Sequence, residues 1–383
     1  MLARTILAVS FTLALAGASA ADESGSFIVK LGADTTSVEH YTRTGSRVEV
    51  NQVGRAPRVL QRHFVYDLKD GALTHLTVVV TPPGSATPTQ TIDVTPERDS
   101  LRIETRNGPA SQITHVAVPP GIVIVASSSP WTMYEGQAMK LSRSRADSLR
   151  APMYFLGAPG TGWLTLTKLG RDSVVVWNDH GDLFHARVDR DGRIQGVLPI
   201  AGTAKFGVTR VASLDLPGYT DSFAGRELRG AGLGVLSPRD TVRASAAGAT
   251  LWIDYGRPAK RGRAVYGGIV PYGEVWRTGA NAATQFRTDK DLVINGTPVP
   301  AGFYTLWTLP TATGWKLIIN SETGQWGTAH NPAKDLYTIS TNVNALPDPV
   351  EKFTITIDPN ANGGALNFDW DTTRVQVPFT VKQ

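Results

Sequence analysis

The chain has 383 residues, 41% hydrophobic and 19% charged, with 38 lysines and arginines against 33 acidic residues and a formal net charge of +5. That length exceeds one ordinary domain and fits two, and the composition is neither that of a disordered chain nor that of a nucleic-acid-binding one. Cysteine is absent, which excludes disulfides, thiolate metal sites, cysteine nucleophiles and lipidation at a cysteine.

The chain opens "MLARTILAVSFTLALAGASA". Arg4 gives a positive start, Thr5 to Gly17 an apolar run, and Ala18-Ser19-Ala20 a small-residue cleavage site, so residues 1–20 read as a secretory signal and Ala21 as the first mature residue. The run is short for a bilayer span, and no later segment is apolar enough to cross a membrane with a helix. A periplasmic or secreted product is expected.

From Ser26 onward short strands are broken by turn residues. "SFIVKLGADTTSVEHYTRTGSRVEVNQVG" gives three strands with turns at Gly32-Ala33-Asp34 and Thr44-Gly45-Ser46. A hairpin follows about Lys69-Asp70-Gly71, and further strands at Thr89–Val94 and Ser100–Thr105. "SSSPWTMYEGQAMKLSRSRADS" breaks the rhythm: Ser129 can cap, Pro130 suits a first turn, Glu135 falls early and arginines cluster late, as in a helix. Strands resume with "GWLTLTKLG", "DSVVVWND" and "DLFHARVDRDGRIQGVLP". An N-terminal antiparallel, half-barrel-like sheet with one inserted helix is expected over residues 21–214.

In strand order and helix placement, Ser26 to Val211 resembles the half-barrel folds of bacterial envelope proteins such as lipoprotein carriers. The resemblance implies a helix lying across the concave face, with an apolar space able to hold an acyl chain. The alternative is that helix and sheet simply fill one another as a core.

Glycines and prolines without a sustained period mark residues 215–239 as a linker. Residues 240–383 are dense with hairpin signals. "DLVINGTPVPAGFYTLWTLP" has one turn at Asn295-Gly296 and the next at Pro300-Ala301-Gly302, and Phe303, Thr305 and Trp307 alternate with Tyr304, Leu306 and Thr308. "GWKLIINS", "KDLYTIST", "EKFTITID", "ALNFDWD" and "RVQVPFTV" complete about eight strands, for which an antiparallel β-sandwich is the expected closure. The class is thus mainly β.

The string "DYGRP…RGR…PYGEVWRTGANAAT", followed by "PAGFYTL" and "WKLIIN…QWG", resembles the bacterial family known as domain of unknown function 2911, from about Ser237 to the C-terminus. That family implies a domain but no reaction.

Within the resemblance, the connection from Gly256 to Ala280 is unusually long for a compact domain. It holds Arg257, Lys260, Arg261, Arg263 and Arg277, with Tyr255, Tyr266, Tyr272 and Trp276 among them. Arginine offers a planar fork for carboxylate or phosphate, and tyrosine and tryptophan offer stacking faces. A site here would use Arg257, Arg263 and Arg277 for charge or hydroxyls, Tyr272 and Trp276 for stacking, and Asn281 to orient loop or ligand, with Tyr255 as a further ligand-binding candidate. The competing expectation is that the arginines pair internally and the aromatics cover a core edge. Asp254 and Glu274 are the carboxylates that a hydrolytic site would use as base near Arg277, although Asp254 equally suits an ion pair. His180, Asp182 and His185 are metal-ligand types, but the acidic residues around them sit in ordinary turns and lack ligand spacing.

The chain contains no G-x-S-x-G, S-x-x-K, H-E-x-x-H, Walker or dinucleotide signature and implies no cofactor. Its seven histidines are at positions 40, 63, 75, 115, 180, 185 and 330, so only His330 could serve a serine–histidine mechanism in the second domain. The leading expectation is a non-catalytic envelope protein gripping a small anionic, sugar-like or peptide ligand at residues 255–281, or a lipid in the first domain. An exported hydrolase and a purely structural protein are the alternatives. Nothing in the sequence sets an oligomeric state.

Overall fold

A computed structural model describes residues 23–69, 71–126, 130–311 and 314–382. The expected signal segment, the cap at Ser129 and the turn residue Asp70 lie outside the described residues. Eight strands run first as an antiparallel meander: β1 (Glu23–Leu31), β2 (Asp34–Thr44), β3 (Arg47–Gly54), β4 (Leu60–Lys69), β5 (Ala72–Thr81), β6 (Gln90–Pro96), β7 (Ser100–Asn107) and β8 (Ala110–Ala117). A short β9 (Val123–Val125) leads to helix α1 (Trp131–Ser142). A second meander follows: β10 (Ser148–Phe155), β11 (Thr161–Lys168), β12 (Ser173–Asn178), β13 (Leu183–Val188), β14 (Ile194–Ala201) and β15 (Gly207–Val211). β15 pairs antiparallel with β1, Val29 opposite Val208, and joins the meanders into one sheet of 15 strands with β8 and β9 at its ends. Among the described residues only β9 and β10 run parallel within it.

So many strands twist and curl rather than lie flat. One apolar cluster accordingly contains Phe27, Tyr41, Phe64 and Leu101 from the first arm, Met153, Leu166, Val176 and Phe184 from the second, and Trp131, Tyr134 and Leu141 of α1. The helix lies inside the curl, as expected. Its docking is polar as well as apolar. Glu135, fully buried, accepts from Tyr41 Oη (2.6 Å), Arg43 Nη2 (3.1 Å), the backbone N–H of Ile194 (2.8 Å) and Arg210. One carboxylate thus ties α1 to both arms. The helix has Pro130 at its N-cap and no local side-chain cap; Glu39 of β2 substitutes, accepting from the N–H of Trp131 at 2.7 Å.

The segment expected as a linker is half helical. Asp215 accepts from the N–H of Gly218 at 3.0 Å and caps α2 (Leu216–Leu228). Leu216, Tyr219 and Phe223 then pack on Val38, Val53 and Val59. In β2, Val38 meets α2 while Glu39 and Tyr41 serve α1, so the sheet has a helix on each face.

The rest forms two sheets. The larger holds β16 (Arg239–Ala246), β17 (Ala249–Gly256), β18 (Thr284–Thr288), β21 (Gly302–Pro310), β22 (Trp315–Asn320) and β23 (Asp335–Ser340); the smaller holds β19 (Leu292–Ile294), β20 (Thr297–Val299), β24 (Asn342–Asn360) and β25 (Gly363–Val381). Leu251, Ile253, Phe286 and Leu317 of the first share one cluster with Phe353, Ile355, Phe368 and Phe379 of the second, which makes the pair a sandwich. Asn295 and Gly296 both have positive φ and close the β19–β20 hairpin with Ile294 opposite Thr297. The expected second turn at Pro300-Ala301-Gly302 is instead a crossover, because β20 and β21 belong to different sheets.

Candidate functional site

The 257–283 connection between β17 and β18 is irregular, and its polar groups are largely used to hold it down. Arg257 spends all three nitrogens, on Asp240 (3.0 Å), the carbonyl of Phe353 (3.2 Å) and Thr354 Oγ1 (2.9 Å). Lys260 pairs with Asp371 at 2.5 Å. Arg261 reaches the first sheet, donating to Asp34 at 2.6 Å while its carbonyl accepts from the N–H of Ala33. Arg263 donates to the carbonyls of Lys260 and Ala259, and burial lowers its pKa.

The aromatics divide likewise. Tyr255 is buried, its hydroxyl accepting from the N–H of Ile355 at 3.0 Å and its ring set edge-on against Phe353. Trp276 is buried between Phe353 and Trp370, its backbone exchanging hydrogen bonds with Thr308. Tyr272 remains 48% exposed. Asn281 takes a positive φ of 62°, and its carbonyl accepts from the N–H of Gly327, so it shapes the loop through its backbone. "TGANAAT" reads the same way. Thr284 Oγ1 donates to the carbonyl of Thr278, and Gly256 and Gly279 pack backbone against backbone with no room for a Cβ.

The two candidate bases differ. Asp254 is held by Arg239 through Nε (2.8 Å) and Nη2, so it is an ion-pair partner. Glu274 is solvent-exposed. His330 Nε2 donates to Asp335 Oδ1 (3.0 Å), and the ring lies against Trp307.

Arg277 stands apart from the other loop cations. Its stem lies across Gly327 and its carbonyl accepts from the N–H of Thr284, but among the described residues its guanidinium has no ion-pair or hydrogen-bond partner; Nε is enclosed without an acceptor. Burial lowers its pKa to about 10, opposed only by the charge of Asp182. Asp182 belongs to the first sheet and is already committed. Its Oδ1 accepts from the N–H groups of Thr203 (2.8 Å) and Ala204 (3.0 Å) and from Thr203 Oγ1, and its Oδ2 from Asn178 at 3.5 Å.

These groups meet at the seam between the two parts of the chain. Thr328 Oγ1 donates to the carbonyl of His180 at 2.9 Å, and Gly181, with positive φ, fits against the Thr328 side chain. Lys205 lies on the same seam. It is half-buried, with Nζ on the carbonyl of Ile200 at 3.3 Å, and its pKa is lowered first by burial and next by Arg277. The sequence offered no signal for Lys205, which sits in an unremarkable "TAKFG". The His180, Asp182 and His185 group is put to other use. The His180 ring is edge-on to Phe155, and His185 is paired across the strand with Leu198. Among the described residues no cluster of three or more His, Asp or Glu side chains is arranged to hold a metal.

Two cavities flank α1. One of about 500 Å³ is lined by Val48, Tyr66, Leu68, Met133 and Met139 with Lys140 and Arg143. The other, of about 250 Å³, is lined by Trp131, Tyr134, Phe155, Phe184, Phe206 and Leu236. Asp182 and Ala204 are in the second cavity's wall, which brings it to the seam.

No curated protein matches this chain. Among solved structures, a β-barrel-like protein of domain of unknown function DUF1849 from Brucella abortus aligns at 8% identity and a TM-score of 0.34, over 50% of this chain and 94% of that one. A structure concerned with the cell entry of botulinum neurotoxin type C and its interaction with two ganglioside molecules aligns at 10% identity and a TM-score of 0.15, over 94% of this chain and 89% of that one. Residues 237–379, the two-sheet part that carries the long connection and Arg277, match the profile of the family described as Protein of unknown function (DUF2911).

Proposed function

We propose that the mature chain is an exported, non-catalytic binding protein that holds a small anion between Arg277 of the long connection and Lys205 of the first sheet. Export rests on the tripartite character of residues 1–20. The binding reading is carried by one observation: Arg277 is largely enclosed at the seam and has no carboxylate of its own, beside a second half-buried cation. Enclosed like charges repel and lose hydration, and an anion between them offsets both costs. Arginine's planar fork favours a phosphate or carboxylate. The non-catalytic part is supported by Asp254, which Arg239 neutralises, and by His330, which Asp335 engages.

Isothermal titration of the mature chain with inorganic phosphate tests the site. Arg277→Ala and Lys205→Ala should each weaken binding at least tenfold, with the exposed Lys316→Ala as an unaffected control. Equal binding by the wild-type and Arg277→Ala proteins, or no binding at all, sinks the reading. Intact-mass measurement of protein recovered from its native host checks export separately, since the mature chain should begin at Ala21.

A further inference from the structure

The two arms of the 15-stranded sheet present different outer faces. On the first arm the outward residues are polar and paired, Arg47 with Glu49 and Asp67, Arg106 with Asp93 and Glu104, and α2 covers Val38 and Val53. On the second arm Leu164, Leu166, Val176, Phe184 and Val197 point into the core, and the alternation along each strand turns Trp163, Val175, Trp177, His185 and Leu198 outward. The register makes these neighbours. Trp177 stands opposite Thr165, diagonal to Trp163, and His185 stands between Val175 and Leu198. Trp163, Trp177, Leu198 and Ile200 are all exposed, Leu198 to 66%. Scattered apolar side chains are ordinary on a surface, but a contiguous patch marks an interaction site.

The charge along these strands has one sign. β10 to β14 contain no aspartate or glutamate, and the acidic residues of the arm lie in turns, Asp172 and Asp179 at opposite ends of β12. Arg150 of β10 and Arg187 of β13 are exposed, and among the described residues neither guanidinium pairs with a carboxylate. Arg150 lies over the Trp163 ring, 4.1 Å from its centroid. Among the described residues the indole N–H groups of Trp163 and Trp177 have no hydrogen-bond partner either.

We propose that this face docks on the surface of an anionic lipid bilayer, the two indoles, Leu198 and Ile200 entering the headgroup boundary and Arg150 and Arg187 meeting lipid phosphates. Tryptophan suits that boundary because its ring is apolar and its N–H is polar, and arginine's fork matches a phosphate. Apolar contact and attraction to anionic lipids add in such peripheral binding. A second copy of the chain fits less well. A two-fold interface sets the same patch against itself, arginines against arginines, with no acidic strand residue to receive them. The docking face is separate from the Arg277 site and needs no ligand there.

The test is co-sedimentation of the full mature chain with vesicles of phosphatidylcholine alone and of an equimolar mixture with phosphatidylglycerol. Binding to the mixture should be the tighter and should weaken with added salt. Arg187→Ala should reduce it about fivefold, the effect of one basic residue near an anionic surface. Leu198→Ser combined with Ile200→Ser should reduce it about tenfold by removing apolar contact. Arg106→Ala, which removes the same charge from the first arm, should leave it unchanged. All four replaced residues are exposed, so the variants should melt with the wild type. No binding to the mixture, or equal binding to both compositions, overturns the proposal. An Arg106→Ala loss equal to that of Arg187→Ala also overturns it, since the attraction would then be to net charge and not to this face. A concentration-dependent dimer that the double serine variant abolishes, with no vesicle binding, gives the face to a second copy instead.

Discussion

Trp276 stacks on Trp370, their ring centroids 5.9 Å apart and their planes 16° from parallel, so the long connection is fastened to the second sheet of the sandwich by its own tryptophan. Phe353 meets both rings edge-on and completes the cluster. The most recognisable string in the chain is therefore a clasp. Trp276→Ala should cost about 3–5 kcal/mol, as large-to-small changes at buried aromatics do. Urea denaturation followed by near-ultraviolet circular dichroism measures it. A midpoint within error of wild type would mean that the stack holds nothing.

The stem of Arg277 lies directly against Gly327, and a Cβ there would collide with that stem and with the carbonyl of Asn281. Gly327→Ala should destabilise the sandwich by about 1–3 kcal/mol and displace Arg277. Phosphate affinity in the titration above should fall together with the melting temperature. An unchanged affinity would place the anion elsewhere.

Much of this architecture is legible in the residues. Strand alternation, the Asn295-Gly296 hairpin and the helix after Pro130 all follow from local signals. Helix α2 is not legible by period, because Gly218 and Gly225 dilute it and its stability comes from Leu216, Tyr219 and Phe223 meeting distant Val38, Val53 and Val59. Asp215 and Pro217 were the readable start signals there. The cap of α1 is unreadable for the same reason, since Glu39 comes from another strand. At the site, residue types announce a cationic loop but do not say which cation is free. That is decided by Asp34, Asp240 and Asp371, which occupy Arg261, Arg257 and Lys260 and leave Arg277 alone.

Glu135 anchors α1 through two arginines, a tyrosine and a backbone N–H, with no exposure to solvent. Glu135→Ala leaves Arg43 and Arg210 enclosed without their anion, and breaking a buried pair in this way costs about 3–5 kcal/mol. Glu135→Gln keeps the size and some of the acceptors, so it should fall between wild type and the alanine variant. Equilibrium denaturation of the three proteins gives the order. Equal stability of all three would show that the network contributes no net tether.

Glu39 behaves differently because no arginine reaches it. It is fully buried, accepting from the N–H of Trp131 and from Gln52 Nε2, and burial raises its pKa from the usual 4.5 to about 7, with the charge of Glu135 adding to the rise. Between pH 4.5 and 7 the folded state therefore binds more protons at this position than the unfolded chain does. Stability from this group is fully present below pH 4.5 and is lost as pH rises through about 7. The loss amounts to at most about 3 kcal/mol, at about 1.4 kcal/mol per pK unit. Glu39→Gln retains a carbonyl for the N–H of Trp131 but cannot ionise, so its stability should change less between pH 5 and pH 8 than that of wild type. Urea titrations of both proteins at the two pH values isolate the term as a difference of differences. Parallel pH profiles would mean that Glu39 ionises in the fold as freely as in the unfolded chain.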